Sequence, residues 1–234
     1  MTGLNHLQAD ALALPRRSRA VLLDFDGPVC AVFAGVGASR VAEQLRDVLR
    51  GMDYPPGLAD LGPHDVLAYA GTLGPEPARA VEDALTAAEL DAIETAAATE
   101  GVGWFLDACH QRRRPVAIVS NNSAAAITAY LERQGLTWGV AHIEGRSPDD
   151  PARTKPSPWT LRRALAHLHV EARDAIFIGD AITDIAAAHA LGMPSIGYAN
   201  RAVKTARLRD AGADAIVTSM LHLGDVMSAA GRPH

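Results

Sequence analysis

Short, near-continuous apolar runs that end on an acid or a hydroxyl constrain this chain more than any other feature. Four of them, 20–24 (AVLLD), 115–120 (PVAIVS), 175–180 (AIFIGD) and 194–198 (PSIGY), punctuate the 234 residues, and a fifth, 214–218 (DAIVT), lies near the end. A run that is apolar at successive positions must be covered on both faces when extended. That is the pattern of a buried parallel strand, whereas a half-exposed antiparallel strand alternates. Helical patterns fill the later intervals. Residues 123–134 stop at Gly135, 158–168 follow Ser157 as a candidate N-cap, 182–191 stop at Gly192 and 202–211 stop at Gly212. Strand–helix–strand alternation calls for right-handed crossovers in an open α/β sheet, whose chemistry gathers at the carboxyl ends of the strands.

Residues 31–100 break that rhythm. Helical stretches at about 39–51, 63–73 and 76–98 are joined by Pro/Gly-rich turns such as YPPG at 54–57, with no convincing strand between them. Apolar residues recur at helical spacing within 85–98, with acids between them. The expected architecture is α/β: a Rossmann-like three-layer core with a parallel sheet, formed by residues 1–30 and 101–234, plus a small all-helical cap at 31–100. Such a lid excludes water and supplies substrate contacts.

Bulk properties exclude several classes. Hydrophobic residues make up 48% and charged residues 21%, so a packed core is expected. A net charge of −5 gives no electrostatic footprint for nucleic acid. The basic groups at 16–19 and 112–114 each precede an apolar strand and read as solvated loop ends. Cys30 and Cys109 form no disulfide framework. The N-terminal residues show no signal-peptide pattern, and no stretch approaches the roughly 18–20 apolar residues of a membrane span. A cytoplasmic location without membrane partners is the resulting expectation.

The chemistry concentrates at the strand ends. Asp24-Phe25-Asp26-Gly27 closes the first run. A carboxylate ending an apolar strand is unfavourable unless solvated, paired or metal-bound. Two acids at i and i+2 before a glycine suit a loop in which one attacks and the other manages protons. Alone, the motif also fits a metal-binding loop or an ordinary turn. Ser120-Asn121-Asn122 ends the second run and leads into a helix, a ready anion site. Lys155, in TKPSP, precedes another helix and could neutralise a phosphoryl group and a carboxylate together. Asp180 and Asp184, in GDAITD, supply hard oxygen ligands suited to Mg²⁺.

In this order the four pieces resemble the four signature motifs of the haloacid dehalogenase-like superfamily, over about residues 20–27 and 101–220. The Lys-Pro-x-Pro and Gly-Asp-x-x-x-Asp forms are similar to its phosphoglycolate-phosphatase-like branch, and the helical insert resembles that branch's cap. The resemblance implies a phosphatase acting on a small phosphorylated metabolite. Asp24 would attack phosphorus to give an aspartyl-phosphate, and Asp26 would protonate the leaving oxygen and then activate water. It further implies Mg²⁺ held by Asp24, the Asp26 carbonyl and Asp180, with Asp184 behind them. Ser120, Asn121 and Lys155 would take the phosphoryl oxygens.

The same resemblance separates rival chemistries. Dehalogenases lack the second aspartate, present here as Asp26, and phosphonate hydrolysis uses a cap lysine, whereas residues 31–100 contain none. A phosphomutase, or a non-catalytic binding protein retaining the fold, stays as an alternative. Pro28 stands where relatives commonly carry Thr, and Ala31 and Val32 where many place an Asp-Ser pair, so known substrate contacts do not transfer. His64, His167, His169 and His222 are expected in surface or helix-end roles, and Arg40, Arg46, Arg50 and Arg79 on solvated helix faces. The oligomeric state is not legible.

Overall fold

The computed structural model describes residues 14, 15 and 17–229. The expectations for the N-terminal segment and Arg16 therefore lie outside the described residues. All five apolar runs form strands of one parallel sheet: β1 (Ala20–Leu23), β2 (Val116–Val119), β4 (Ala175–Gly179), β5 (Ser195–Tyr198) and β6 (Ala215–Val217). A sixth strand, β3 (His142–Glu144), pairs with β2 at the sheet edge, giving the order β3-β2-β1-β4-β5-β6. Sequence reading missed β3 because it spans three residues, two of them half-exposed, and has no apolar run.

The continuous apolarity of the strands has a direct structural consequence. Val21, Leu23, Ile118, Ile176 and Ile178 enter one core cluster, while Ala20, Leu22, Ala117, Val119 and Phe177 enter another on the opposite face. Each face needs its own helical layer, and burial of each large aliphatic side chain contributes about 1.5–3 kcal/mol. One layer comprises α4 (Val102–Gln111), α5 (Ala124–Arg133) and α9 (Met220–Ala229), through Phe105, Leu106, Tyr130 and Leu223. The other comprises α6 (Trp159–Leu168) and α7 (Ile182–His189), through Leu161, Ala164, Leu165 and Ala187. Helix α8 (Ala202–Asp210) joins β5 to β6. This is the expected three-layer α/β architecture.

The segment between β1 and α4 forms α1 (Ala38–Gly51), α2 (Pro63–Leu73) and α3 (Pro75–Ile93), without a strand among its described residues. Their apolar stripes, Val41/Leu45/Leu49, Val66/Leu67/Ala70 and Val81/Leu85/Ile93, pack into the same cluster as one face of the sheet. Its two ends sit together. Cys30 bridges Ala98, and the Thr99 N–H donates to the Val29 carbonyl at 2.9 Å.

Four local expectations are corrected. The helix expected over 76–98 stops at Ile93, since residues 94–98 turn back to bridge Cys30. Ser157 does not cap α6, whose N-cap is Pro158 without a side-chain bond. Helices α4 and α9 were not expected, although Ser219 marks the start of α9 by accepting the His222 N–H on its Oγ at 3.2 Å. Arg46 is not on a solvated face: it is buried, bonded to Glu43 and to the Leu58 and Leu61 carbonyls.

Candidate active site

The chain leaves β1 in both directions across the sheet, to β2 and β3 on one side and to β4, β5 and β6 on the other. At such a switch point the loops beyond neighbouring strands diverge and leave a crevice. Asp24, Ser120 and Asp180 each follow the last residue of a strand meeting there. All seven residues singled out from the sequence, Asp24, Asp26, Ser120, Asn121, Lys155, Asp180 and Asp184, line one cavity of about 140 Å³.

Lys155 organises the floor of that cavity. Its buried ammonium lies 2.8 Å from Asp24 Oδ1 and 2.6 Å from Asp184 Oδ1, and it donates to the Val119 carbonyl at 3.1 Å. Burial works against its charge, but the Asp184 and Asp24 carboxylates outweigh that and raise its pKa. Asn121 holds the lysine loop by both ends of its amide, accepting from Lys155 N–H at 2.7 Å and donating to Lys155 C=O at 3.1 Å. Ser120 Oγ donates to Asn122 Oδ1 at 3.0 Å.

The two acids of the first loop are treated differently. Asp24 Oδ1 also accepts the Phe25 N–H at 2.8 Å. Burial and the Asp184 carboxylate push its pKa up, against the pull of Lys155. Asp26 Oδ1 accepts the Val32 N–H at 2.9 Å, and the loop between them closes through Gly27 N–H to Cys30 C=O at 2.6 Å. Burial raises the pKa of the Asp26 carboxyl while that Val32 bond opposes it. The apolar stretch 28–32 thus has a positioning role that its composition did not announce. Cys30 is a buried filler whose thiol pKa burial drives up, which removes it as a nucleophile.

Convergence of the acids depends on two missing side chains. Gly27 has φ +109°, and a Cβ there would lie 2.3 Å from Asp180 Oδ2. A Cβ on Gly179 would lie 2.4 Å from Asp184 Oδ2. Asp184 Oδ2 accepts the Asp180 and Ala181 N–H groups at 3.0 Å each, so this acid caps the start of α7 while facing Lys155. Asp180 is paired with Lys204, and burial still lifts its pKa to about 6.

Oxygens of Asp24, Asp180 and Asp184 lie within 4.8 Å of one another. The four carboxylates lining the cavity face two ammonium groups, Lys155 and Lys204, which leaves an excess of negative charge. A hard divalent cation such as Mg²⁺ fits this all-oxygen donor set. The carboxylate of Asp184, expected behind the ligands, stands with those of Asp24 and Asp180 in this cluster.

Sequence reading missed three participants. Lys204 lies on α8, whose sequence carries no motif. His64, expected at a surface or helix end, lines the cavity from α2. Glu89 of α3 is fully buried; it accepts Asn122 Nδ2 at 3.1 Å and the Ser123 N–H at 2.9 Å, tying the insert to the loop after β2. None could be found from spacing, because each reaches the site through the tertiary fold.

A profile of the haloacid dehalogenase-like hydrolases matches residues 70–198. The chain belongs to that family. The matched stretch contains Ser120, Lys155, Asp180 and Asp184 but begins after Asp24 and Asp26, which the central position of β1 brings beside them. A phosphoglycolate phosphatase of Rhodospirillum rubrum is 32% identical over 139 residues, 58% of this chain and 55% of that protein. A plasmid-encoded phosphoglycolate phosphatase of Cupriavidus necator is 33% identical over 124 residues, 51% of each. The chain thus spans about half the length of the curated relatives it matches. Among solved structures, a predicted phosphatase from Clostridium acetobutylicum superposes with a TM-score of 0.69 at 21% identity, over 88% of this chain and 96% of that one. CbbY from Rhodobacter sphaeroides, in complex with phosphate, gives 0.66 at 20%, over 88% and 96%. At these identities the structural matches establish the fold.

Proposed function

We propose that this chain is a Mg²⁺-dependent phosphatase that hydrolyses a small phosphorylated metabolite through an aspartyl-phosphate on Asp24. The observation that carries the reading is the Asp24 carboxylate, fixed by Lys155 at the floor of a cavity that also contains Ser120, Asn121 and Asp26. The cavity, about 140 Å³, is of phosphoryl-group size, and the names of the curated relatives support a small substrate.

In this reading Asp24 attacks phosphorus as the ester oxygen departs, and Asp26 donates the proton that oxygen needs. Asp26, now ionised, takes a proton from the water that attacks the aspartyl-phosphate, which returns Asp24 and releases phosphate. The raised pKa of Asp26 suits the first of these roles. Ser120, the N–H of Asn121 and Lys155 hold the phosphoryl oxygens, and their fixed positions spare reorganisation as charge shifts. Asp24, the Asp26 carbonyl and Asp180 would hold Mg²⁺, with Asp184 positioning Lys155 and the start of α7. The ion would supply neutralisation of the excess negative charge shared by the acids and the phosphoryl group. Residues 31–100 act as the cap over this site.

Phosphate release from a panel of phosphomonoesters, with and without Mg²⁺, tests the reading. Release is expected only with the metal and only from protein that retains Asp24. Release at wild-type rates from Asp24→Asn protein would remove the nucleophile assignment.

A further inference from the structure

The residues above account for the phosphoryl group and leave the rest of the substrate unread. Of the residues lining the cavity, His64 alone comes from the helical insert. It stands at the second residue of α2 (Pro63–Leu73). A basic side chain in the first turn of a helix opposes the helix dipole, so helix stability gives no reason for histidine at this position.

Behind the ring lies a buried ionic cluster. Arg146, whose side chain is fully buried, donates to Glu82 at 2.6 Å, to Glu89 at 2.5 Å and to Thr86 Oγ1 at 2.9 Å. Two carboxylates thus share one guanidinium. His64 Nε2 is enclosed 3.7 Å from Glu89 Oε1, an ion-pair distance too long for a hydrogen bond. The His64 ring thus stands beside a carboxylate that already shares its guanidinium with a second one. Glu89 also holds Asn122, and Asn122 holds Ser120, so the carboxylate facing the ring is tied to the phosphoryl site by hydrogen bonds.

Resting on the phosphatase reading, we propose that His64 is the specificity-determining residue of the cap, binding an anionic group, such as a carboxylate, on the leaving-group side of the phosphoester. With Nε2 turned toward Glu89, Nδ1 makes the contact. Glu89 and Arg146 are positioning residues that fix the ring. The substrate class this selects is a short phosphorylated acid, since cap and floor contribute to one small cavity.

The test measures binding to Asp24→Asn protein in Mg²⁺ buffer, where turnover does not intrude. The ligands are 2-phosphoglycolate and ethyl phosphate, which has the same length without the carboxylate. Calorimetry should find 2-phosphoglycolate bound about 10- to 100-fold more tightly, the range of a charge-assisted hydrogen bond. Adding His64→Ala should remove the preference by weakening 2-phosphoglycolate alone, and His64→Gln should leave only a small part of it. Thermal melts check that both variants fold. A preference absent with His64 in place, or one that survives both substitutions, overturns the assignment. Failure of wild-type protein to release phosphate from p-nitrophenyl phosphate, with the His64-dependent preference intact, would count against the phosphatase reading while supporting this one.

Discussion

Two buried clusters in this molecule share one composition and differ in everything that follows from it. In each, one cation lies between two carboxylates: Lys155 between Asp24 and Asp184, and Arg146 between Glu82 and Glu89. Around Arg146 the guanidinium reaches both acids, a threonine hydroxyl and the Asn121 carbonyl, so its donors are used within the protein. Around Lys155 the same charges line an open cavity, and burial raises the carboxyls of Asp24, Asp26 and Asp180. Burial opposes ionisation of Glu89 too, but His64 and Arg146 outweigh it and hold that carboxyl at about 2. A planar fork satisfied on every side locks two segments together. A point charge among acids that have not reached their preferred state is poised for a ligand.

The largest effects should separate the clusters by readout. Asp24→Asn keeps the shape and most hydrogen bonds but removes the nucleophile. Phosphate release should fall at least about 10³-fold, with the thermal midpoint within a few degrees of wild type. Arg146→Met should do the opposite. Two buried carboxylates lose their partner, and denaturant unfolding should show a loss of about 3–5 kcal/mol. Activity measured well below the new midpoint should fall far less than in Asp24→Asn. If Arg146→Met instead abolished activity in a fully folded protein, the division between a structural and a chemical cluster would not hold.

The same comparison explains what the sequence disclosed. The Lys155 cluster was legible because each acid ends a buried strand, and a carboxylate there is conspicuous against its apolar neighbours. Strand ends in a parallel sheet also converge by rule, so Asp24, Ser120 and Asp180 could be placed together without coordinates. The Arg146 cluster was not legible. Glu82 and Glu89 sit among other acids on one amphipathic helix, and nothing in their spacing marks them as facing inward. Arg146 follows an edge strand too short to register as one. His64 was assigned a bland role because its partner lies 25 residues away on another helix. Local patterns report on groups whose surroundings are set by their own element; they are silent on groups whose surroundings are assembled from two.

The depressed carboxyl of Glu89 gives a pH test of intermediate size. Its folded pKa, about 2, lies below the ordinary glutamate value of 4.5, so the folded state favours the ionised form. The associated stability is fully present above about pH 4.5 and is lost as pH falls toward 2. The span corresponds to about 3 kcal/mol at most. Urea unfolding at pH 6, 5, 4 and 3.5 should show wild type losing stability through the lower part of that range. Glu89→Gln should start less stable and lose less over the same interval. Parallel slopes for the two proteins would place the acid sensitivity elsewhere, the raised acids of the cavity being excluded by their sign, since groups with elevated folded pKa values gain relative stability as pH falls.

The smallest predicted effect concerns Lys204, which does not line the cavity itself but pairs with one of its acids. It is paired with Asp180, one of the three acids whose oxygens cluster, and a cation bound there must share or displace that partner. Lys155 is different: fully buried and pinned by a backbone carbonyl as well as two acids, it stays in place. Lys204→Met should therefore increase Mg²⁺ affinity by a few-fold to about tenfold, on the scale of a partly exposed ion pair, read as the Mg²⁺ concentration that half-saturates the thermal shift. Unchanged affinity would mean that Lys204 and the metal occupy different sides of Asp180. Weakened affinity would mean that the lysine holds Asp180 in its binding position, and the contrast between a fixed and an exchangeable cation would then fail at its exposed end.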